Sequence, residues 1–392
     1  MSIHLAALLP VLIWIYLLCA RGGFWRAARQ LNPVQDSAEG PAAQESPAPK
    51  TVVAVVPARN EAGSIGEAVG SLLSQRFAGR LHVVVVDDGS TDGTSETATA
   101  AAAAIGAGAR LTVVRGAALA AGWTGKLWAM SQGVQTAAAL EPDYLLFTDA
   151  DIVHEPDNLA GLVAHAEIHQ RDLVSYMVLL SVQTFAERCL LPAFVFFFLK
   201  LYPPRWIAAA GSATAGAAGG CMLIRPQALQ RIGGLAALRS QIIDDCALAR
   251  AVKGAGGRIW LGLTRSARSL RRYGSFTEIG TMISRTAFNQ LRHSYLLLAG
   301  TLLGLAITYL APPLLLLAHD PLAIACGAAA WALMSLCYLP MVRFYGLPAL
   351  WSVCLPAVAL FYGGATLHSA LQYRLGRGGS WKGRAQDTRV RI

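Results

Sequence analysis

Two aspartates, Asp149 and Asp151, stand one residue apart at the end of the apolar run YLLFTDADIV, residues 144–153. Such a run is typical of a buried strand, and burying carboxylates is costly unless positive or hydrogen-bonding groups meet them. Oxygen ligands at this place suit Mg²⁺ or Mn²⁺, with the phosphates of a substrate completing the coordination shell. A strand-ending aspartate that caps the next helix would show the same spacing. The spacing of the pair is therefore compatible with both a cation site and a helix cap.

A second acidic pair, Asp87 and Asp88, follows four valines in the segment VVVVDDGSTDGT. A carboxylate there can accept hydrogen bonds from the base or ribose of a nucleotide. The alternative is an ordinary Asx-type turn that caps a helix. The segment contains neither G-x-G-x-x-G nor G-x-x-x-x-G-K-[ST], which disfavours a dinucleotide-binding motif and a P-loop.

A third acidic pair, Asp244 and Asp245, begins the helical pattern DDCALARAVK. A carboxylate that faces an acceptor hydroxyl at a helix start is a candidate general base; capping of the helix is the alternative role. Upstream, Gly219 and Gly220 precede a strand-like run, and glycine allows a bound ligand to approach the backbone closely.

The candidate cationic residues lie in two segments. Lys126 stands between two tryptophans in GWTGKLWAM, where it either contacts a phosphate or extends along the surface. In ISRTAFNQLRHS, directly before an apolar block, Arg285, Gln290, Arg292 and His293 could meet a diphosphate or an acceptor at a membrane surface. The alternative is that Arg292 and His293 only mark the cytoplasmic end of a helix.

These candidate residues require a scaffold of strands that alternate with helices. From residue 51 onwards, β-branched runs end in polar turns that lead into helical patterns, which predicts an α/β fold with a mostly parallel sheet covered on both faces. Ligands of such sheets bind at the carboxyl ends of the strands. Because Arg59, Asp87, Asp88, Asp149 and Asp151 all fall at predicted strand ends, a single cleft is expected.

The composition predicts a membrane protein. Hydrophobic residues make up 54% of the chain, charged residues 14%, and the mean hydropathy is +0.44. The net charge of +10 is concentrated around apolar segments, which favours a membrane surface as partner and disfavours nucleic acid. The seven cysteines form no C-x-x-C pair, so neither a disulfide framework nor a zinc site is indicated.

We divide the chain into an N-terminal membrane anchor (1–30), a linker (31–50), the catalytic domain (51–294), C-terminal transmembrane helices (295–371) and a basic tail (372–392). The first apolar run is just long enough to cross a bilayer, and its basic residues follow it. A cleaved signal peptide would carry them in front. Three apolar blocks near 295–317, 321–341 and 347–371 are each long enough to cross, whereas the aromatic segment 189–206 suits an interfacial or re-entrant element.

Two topology predictions conflict. Four spans with a cytoplasmic catalytic domain place the C-terminus outside. The tail, however, carries basic residues against one acid, Asp387, and such a segment stays inside. Either one C-terminal block is re-entrant or the charge rule fails for this chain.

Taken in order, the segments VVPARNE, VVDDGSTDGT, FTDAD, GGCMLIR and IIDDCALA resemble family 2 glycosyltransferases of the GT-A fold, over residues 51–294. The resemblance implies a Rossmann-like nucleotide-sugar-binding domain, a divalent cation held by D-x-D, and inversion at the anomeric carbon. It implies donor contacts at Pro57, Arg59, Glu61 and Asp88. It makes Asp149 and Asp151 the donor and metal aspartates, and Asp245 the base, in a pair that is usually Glu-Asp.

The processive members of that family carry Q-x-x-R-W, which is NQLRH here, so polymer synthesis is disfavoured. A closer likeness, through GWTGKLWAMSQG, TDADIVHEPDNL, IDDCALARAVK, RTAFNQLRHS and SWKGR, is to the hopene-associated glycosyltransferases of hopanoid biosynthesis clusters. It implies a multi-pass enzyme of the bacterial inner membrane with a cytoplasmic catalytic domain, a UDP-sugar donor and a hopanoid-related lipid acceptor. Polyprenyl phosphate as acceptor and an inactive membrane scaffold are the alternatives. A transporter is disfavoured because the apolar blocks contain almost no ionisable residues.

Overall fold

The computed structural model describes residues 2–27, 49–375, 380–381 and 384–385, with side chains described for 6–27 and 49–375. The predicted linker, 31–50, lies outside these ranges except for its last two residues. Most of the predicted basic tail, 372–392, also lies outside them.

A mixed sheet of eight strands forms the centre of the catalytic domain, in the order β3-β2-β1-β4-β7-β6-β8-β5. The strands are β1 (Thr51–Ala58), β2 (Arg80–Asp87), β3 (Leu111–Arg115), β4 (Tyr144–Thr148), β5 (Ile152–His154), β6 (Leu173–Leu179), β7 (Cys221–Ile224) and β8 (Ile259–Ser269).

The strands from β3 to β4 pair in parallel, as the alternation of strands and helices predicts. Beyond them β7 runs antiparallel to both β4 and β6, and β5 runs antiparallel to β8, while β6 and β8 are parallel. The prediction of an α/β fold is confirmed. The prediction of a mostly parallel sheet holds only for the first half, since β5 and β7 pair antiparallel with their neighbours. Strand β5 follows β4 after only three residues, too short a connection for a parallel crossover.

Helices cover both faces of this sheet. They are α2 (Ile65–Leu73), α3 (Thr94–Ala104), α4 (Gly125–Ala138), α5 (Asn158–Ile168), α6 (Phe185–Leu201), α7 (Pro204–Ala208), α8 (Pro226–Arg231), α9 (Asp244–Gly254) and α10 (Phe276–Gln290). All eight residues of β1 are buried. Alternate side chains of β1 enter opposite cores: Val53 and Val55 on one face, Val52 and Val56 on the other.

Three C-terminal helices are long and apolar enough to cross a membrane: α11 (Tyr295–Leu315), α12 (Pro321–Phe344) and α13 (Ala349–Arg374). The three predicted apolar blocks are thus confirmed as helices of spanning length. In α11 a π-helical turn, Ala306–Leu310, precedes the two prolines.

The N-terminal helix, α1 (Ser2–Cys19), packs against the C-terminal helices. Its apolar part with described side chains, Ala6–Cys19, is shorter than a typical bilayer crossing. Ala7 packs with Ala323 and Cys326 of α12, and Trp14 donates its indole N–H to the carbonyl of Thr308 at 2.9 Å. The N-terminal anchor therefore stays a prediction, and its residues 28–30 lie outside the described part of the chain.

Candidate active site

A half-buried lysine lies at the centre of the candidate site. Lys126, in the first turn of α4, places its Nζ atom 2.8 Å from Oδ1 of Asp149 and 3.5 Å from Oδ2 of Asp244. Burial disfavours the ammonium, but the carboxylates around it raise the pKa of Lys126 well above its ordinary value. One fixed positive charge therefore connects the turn after β4 with the start of α9.

Asp151 lies at the other side of the same turn. Its carboxylate accepts a hydrogen bond from Ser269 at 3.3 Å, and its backbone carbonyl accepts one from Leu270 at 2.7 Å. Burial and the neighbouring carboxylates of Asp149 and Glu61 raise the pKa of Asp151 to about 6. Acids gathered in this way favour a cation between them.

The oxygens of Asp245 are held by two backbone donors. Gly219 donates its N–H to Oδ2 at 2.9 Å, and Cys246 donates its N–H to Oδ1 at 2.6 Å. Burial and the adjacent Asp244 raise the pKa of Asp245 to about 6. An oriented carboxylate with a pKa in this range can accept a proton near neutral pH.

Two catalytic candidates approach the backbone closely at Gly219. A Cβ atom there would lie 3.3 Å from Nζ of Lys126 and 3.4 Å from Oδ2 of Asp245. Gly220 contributes its carbonyl, which accepts a hydrogen bond from the hydroxyl of Thr148 at 2.8 Å. The glycine pair thus links the base to the strand that ends in the D-x-D turn.

The D-x-D turn is closed by a buried histidine. Oγ1 of Thr148 and Nε2 of His154 lie 3.0 Å apart, and Nδ1 of His154 lies 2.9 Å from the amide nitrogen of Asn158. Because Thr148 donates its proton to Gly220, Nε2 must be the donor and Nδ1 the acceptor. Burial lowers the pKa of His154 to about 4, so the ring is neutral at physiological pH.

The predicted nucleotide contacts at the ends of β1 and β2 form a separate, connected group. Arg59 donates to the carbonyl of Asp88, and its guanidinium lies 3.8 Å from the Asp88 carboxylate. The Asp87 carboxylate accepts from the N–H of Ser90 and from the hydroxyl of Ser95, so it holds its own loop in place. Since β1 lies between β2 and β4, the backbone of Asp87 and Asp88 is two strand spacings, roughly 10 Å, to the side of the end of β4.

A cavity of about 860 Å³ extends from the acidic cluster to the apolar helices. Its lining includes several of the predicted site residues, namely Pro57, Glu61, Lys126, Asp149, Asp151, Gly219, Gly220, Asp244, Asp245, Arg285 and His293. Of the predicted group at the end of α10, His293 faces the cavity, whereas Gln290 donates to the hydroxyl of Tyr202 and Arg292 is exposed. Arg59, Asp87 and Asp88 lie outside the lining.

The sequence analysis missed the loop after β8. Arg271, Arg272 and Tyr273 line the cavity, and Arg271 lies near enough to Asp151 to lower its pKa against the effect of burial. The signal was the paired arginine in LRRYG, directly after a long strand.

A second missed residue is Glu187, which is fully buried at the start of α6. Its carboxylate accepts hydrogen bonds from the N–H groups of Tyr273, at 2.7 Å, and Gln183, at 2.8 Å. The hydroxyl of Thr184 donates to the Tyr273 carbonyl at 2.9 Å. Glu187 and Thr184 therefore hold the loop that carries Arg271.

The acids of the site fit a divalent cation that is shared with a substrate. Within the described residues, His, Cys, Asp and Glu side chains form no group of three or more that could hold a metal alone. Asp149 and Asp151 nevertheless supply oxygen ligands from one turn, and Mg²⁺ is commonly held by one or two carboxylates together with waters and substrate phosphates. The donor set suits such a site.

Residues 53–233 match the family model of glycosyl transferase family 2. The matched segment runs from β1 past α8 and contains Asp149 and Asp151, while Asp244 and Asp245 lie beyond its end. The match agrees with the family 2 prediction over this segment, and the finer likeness to hopene-associated enzymes stays a prediction. No curated protein matches the chain.

Among solved structures the chain is similar to the mannosyltransferase PcManGT from Pyrobaculum calidifontis in complex with GDP-Man and Mn²⁺, with 20% identity and a TM-score of 0.49, covering 93% of this chain and 99% of that chain. It is also similar to S. aureus TarS 1-349 in complex with UDP-GlcNAc, with 16% identity, a TM-score of 0.39, and coverages of 83% and 92%. For mannosyl-3-phosphoglycerate synthase from Rubrobacter xylanophilus the identity is 19%, the TM-score 0.38, and the coverages 59% and 70%.

Proposed function

We propose that this protein is a membrane-bound, inverting glycosyltransferase that moves a sugar from a nucleotide sugar, expected to be a UDP-sugar, to a lipid acceptor. The observation that carries the proposal is one cavity in which Lys126 lies 2.8 Å from Asp149 and 3.5 Å from Asp244, with Asp151 and Asp245 in the same lining. The family match over residues 53–233 supports the reaction class.

The donor would bind across the carboxyl ends of β1, β2 and β4. In this proposal Asp88 and Arg59 would contact the nucleoside, and the ammonium of Lys126 would contact the diphosphate. A divalent cation held by Asp149 and Asp151 would neutralise the charge that develops on the diphosphate as it leaves. Arg271, on the loop held by Glu187, adds a second positive charge at the rim of the cavity.

Asp245 is the proposed base. Its carboxylate takes the proton of the acceptor hydroxyl, and the oxygen of that hydroxyl forms a bond to the anomeric carbon. The bond between that carbon and the diphosphate oxygen breaks, and its electron pair leaves with the diphosphate. Because the two N–H donors of Gly219 and Cys246 fix the carboxylate, it presents one orientation to the acceptor.

A hopanoid-related acceptor is proposed from the sequence resemblance, together with a bacterial inner-membrane location and a cytoplasmic catalytic domain. The three apolar C-terminal helices support a membrane location of this kind. A polyprenyl phosphate is the second acceptor class, because Arg271, Arg272 and Arg285 line the cavity and guanidinium groups bind phosphate well. The acids that converge on one cavity around Lys126 favour an active enzyme over an inactive scaffold.

The test uses the purified full chain in lipid nanodiscs with Mg²⁺ or Mn²⁺. A panel of labelled nucleotide sugars is offered with a hydroxylated hopanoid, with polyprenyl phosphate, or without acceptor, and the products are resolved. We expect labelled lipid from one pairing, lost in Asp245→Asn and kept in the exposed-surface control Asp157→Asn. A folded wild-type protein that transfers no sugar to either lipid, or an Asp245→Asn protein with full activity, would contradict the proposal.

A further inference from the structure

The start of α13 lies against the catalytic domain. The preceding helix, α12, ends where the Phe344 carbonyl accepts a hydrogen bond from Arg265 of β8 at 2.9 Å. Three residues into α13, the ring of Trp351 packs on that of Phe185, the first residue of α6, with centroids 5.7 Å apart. The chain has therefore returned to the catalytic side of the membrane when α13 begins.

The end of α13 also lies against the catalytic domain. The ring of Tyr373 stacks on His293 with centroids 4.0 Å apart and an angle of 13° between the planes. One turn earlier, the hydroxyl of Ser369 accepts the N–H of Phe288 at 3.0 Å and donates to the carbonyl of Ser284. Helix α13 thus finishes beside the last turns of α10.

Helix α10 fixes the side of the membrane on which these contacts occur. It carries Glu278 and Arg285, which line the same cavity as Asp149. A helix with such charges is strongly disfavoured in the hydrocarbon core of a membrane. His293 follows α10 directly, so both ends of α13 lie on the catalytic side.

Helix α13 buries one face against the catalytic domain. Val358, Tyr362 and Ala365 face the protein, and the Tyr362 hydroxyl donates to the carbonyl of Leu190 in α6 at 2.9 Å. The opposite stripe exposes large apolar side chains at helical spacing, Leu360, Leu367, Leu371 and Leu375. The leucine stripe is the face that α13 offers to lipid, and its two ends, which both contact the catalytic domain, decide its orientation.

We propose that α13 does not cross the bilayer but lies along its catalytic-side surface, where it forms with α10 the wall of the opening through which a lipid head group reaches Asp245. Helices α11 and α12 then make a single hairpin through the membrane. The side chains of His368 and Gln372 on α13 line the cavity that contains Asp149 and Asp245. The topology stands independently, and only the role of the opening rests on the proposed function.

This arrangement removes the conflict between the number of apolar blocks and the charge of the tail. One C-terminal block is re-entrant, so the chain leaves Arg374 on the side of the catalytic domain. The basic residues of the sequence after α13 then obey the positive-inside rule.

The topology is tested with reporters in the full chain: one after Ile392, one between Ala318 and His319 in the turn between α11 and α12, and one at Gly106 in the catalytic domain. Green fluorescent protein reports the cytoplasmic side and alkaline phosphatase the opposite side. We expect the reporters after Ile392 and at Gly106 to agree with each other and to differ from the one at Ala318. A reporter after Ile392 that agrees with the one at Ala318 would overturn the proposal.

The opening is tested by introducing a tryptophan at two adjacent positions of α13, one that faces the cavity and one that faces lipid. Gln372→Trp narrows the cavity, whereas the control Leu371→Trp places the same ring on the lipid-facing stripe. We expect Gln372→Trp to raise KM for the lipid acceptor about tenfold or more while nucleotide-sugar binding stays unchanged. Equal effects of the two variants, or no effect of Gln372→Trp, would refute the opening. If the wild type glycosylates neither lipid, the proposed function fails while the reporters still decide the topology.

Discussion

The ammonium of Lys126 lies between the carboxylates of Asp149 and Asp244, 2.8 Å from the first and 3.5 Å from the second. These acids come from the end of β4 and the start of α9, which are distant in sequence. Without a positive charge between them, their mutual repulsion would disfavour the compact site. The same charge is placed to receive a diphosphate, so one residue both assembles the site and binds substrate in our proposal.

Replacing this charge should abolish most activity. We expect Lys126→Met to lower kcat/KM for transfer by about 10²-fold or more, the range seen when one preorganised electrostatic group is removed. Lys50→Met is the matched control, because Lys50 lies at the amino end of β1 and pairs with Asp143 at 3.7 Å. Steady-state kinetics of both variants test this prediction. If kcat/KM of Lys126→Met is within about twofold of the wild-type value, Lys126 has no role in the mechanism.

The pH dependence should report the proposed base. Burial and Asp244 raise the pKa of Asp245 to about 6, and the base must be deprotonated to accept the hydroxyl proton. We therefore expect kcat/KM to be level above this pH and to fall about tenfold for each unit below it. The measurement is kcat/KM as a function of pH, between about pH 4.5 and 8, at a saturating concentration of the divalent cation. Unfolding of the protein is monitored over the same pH range. If kcat/KM does not fall at low pH, a group other than Asp245 accepts the proton of the acceptor hydroxyl.

The hydroxyl of Thr148 should matter for both stability and rate. It donates to Gly220 at 2.8 Å and accepts from His154 at 3.0 Å, so Thr148→Val leaves two buried groups without their partner. We expect a loss of about 1–3 kcal/mol in the free energy of unfolding, and a lower kcat because the D-x-D turn and the base lose their link. Thr148→Ser, which keeps the hydroxyl, should restore kcat. If Thr148→Val and Thr148→Ser have the same kcat, the hydrogen bond from Thr148 to Gly220 contributes to stability and not to the rate.

Much of the site could be predicted because parallel strands bring their carboxyl ends to one edge. The apolar runs before Asp87 and Asp149 identified β2 and β4, and the strand order then placed their acids on the same side of the sheet. The sequence left Lys126 either as a phosphate contact or as a lysine extended along the surface, and its bridging position between two acids has no sequence signal.

The rest depends on tertiary contacts that leave no local pattern. β7 was expected from its glycines and apolar run, but its antiparallel direction follows from packing between β4 and β6. Glu187 reads in sequence as an ordinary helix-start acid, and only the fold shows that it also binds the N–H of Tyr273. The Asn-Gln-Leu-Arg-His segment was assigned as a unit, whereas the end of α10 directs Gln290 away from the cavity and His293 into it.

Removal of divalent cations should stop transfer. Asp149 and Asp151 are the proposed ligands, and a metal held by few protein groups exchanges readily with a chelator. We expect no activity in EDTA and recovery on addition of Mn²⁺ or Mg²⁺. In Asp151→Asn the metal concentration for half-maximal activity should rise about tenfold or more, since one charged ligand is lost. An enzyme that is fully active in EDTA, with metal absent by elemental analysis, would refute the cation site.

The loop with Arg271 and Arg272 should depend on Glu187 for its position. Burial disfavours the ionised carboxylate, but the hydrogen bonds donated by Tyr273, Thr184 and their neighbours hold the pKa of Glu187 below its ordinary value, so it is charged at neutral pH. Glu187→Gln replaces one acceptor oxygen with a donor that opposes N–H groups, at a cost of about 1–3 kcal/mol in the free energy of unfolding. The exposed helix-start acid Glu96 provides the control, Glu96→Gln.

If Glu187 positions the arginines for a charged substrate group, the effect on kinetics must depend on Arg271. We expect Glu187→Gln to raise KM for the nucleotide sugar several-fold at a temperature where the protein stays folded, with a smaller change in kcat. In an Arg271→Ala background the same substitution should add little, because the group that it positions is already absent. Independent, additive effects of the two substitutions on KM would show that Glu187 only stabilises the fold.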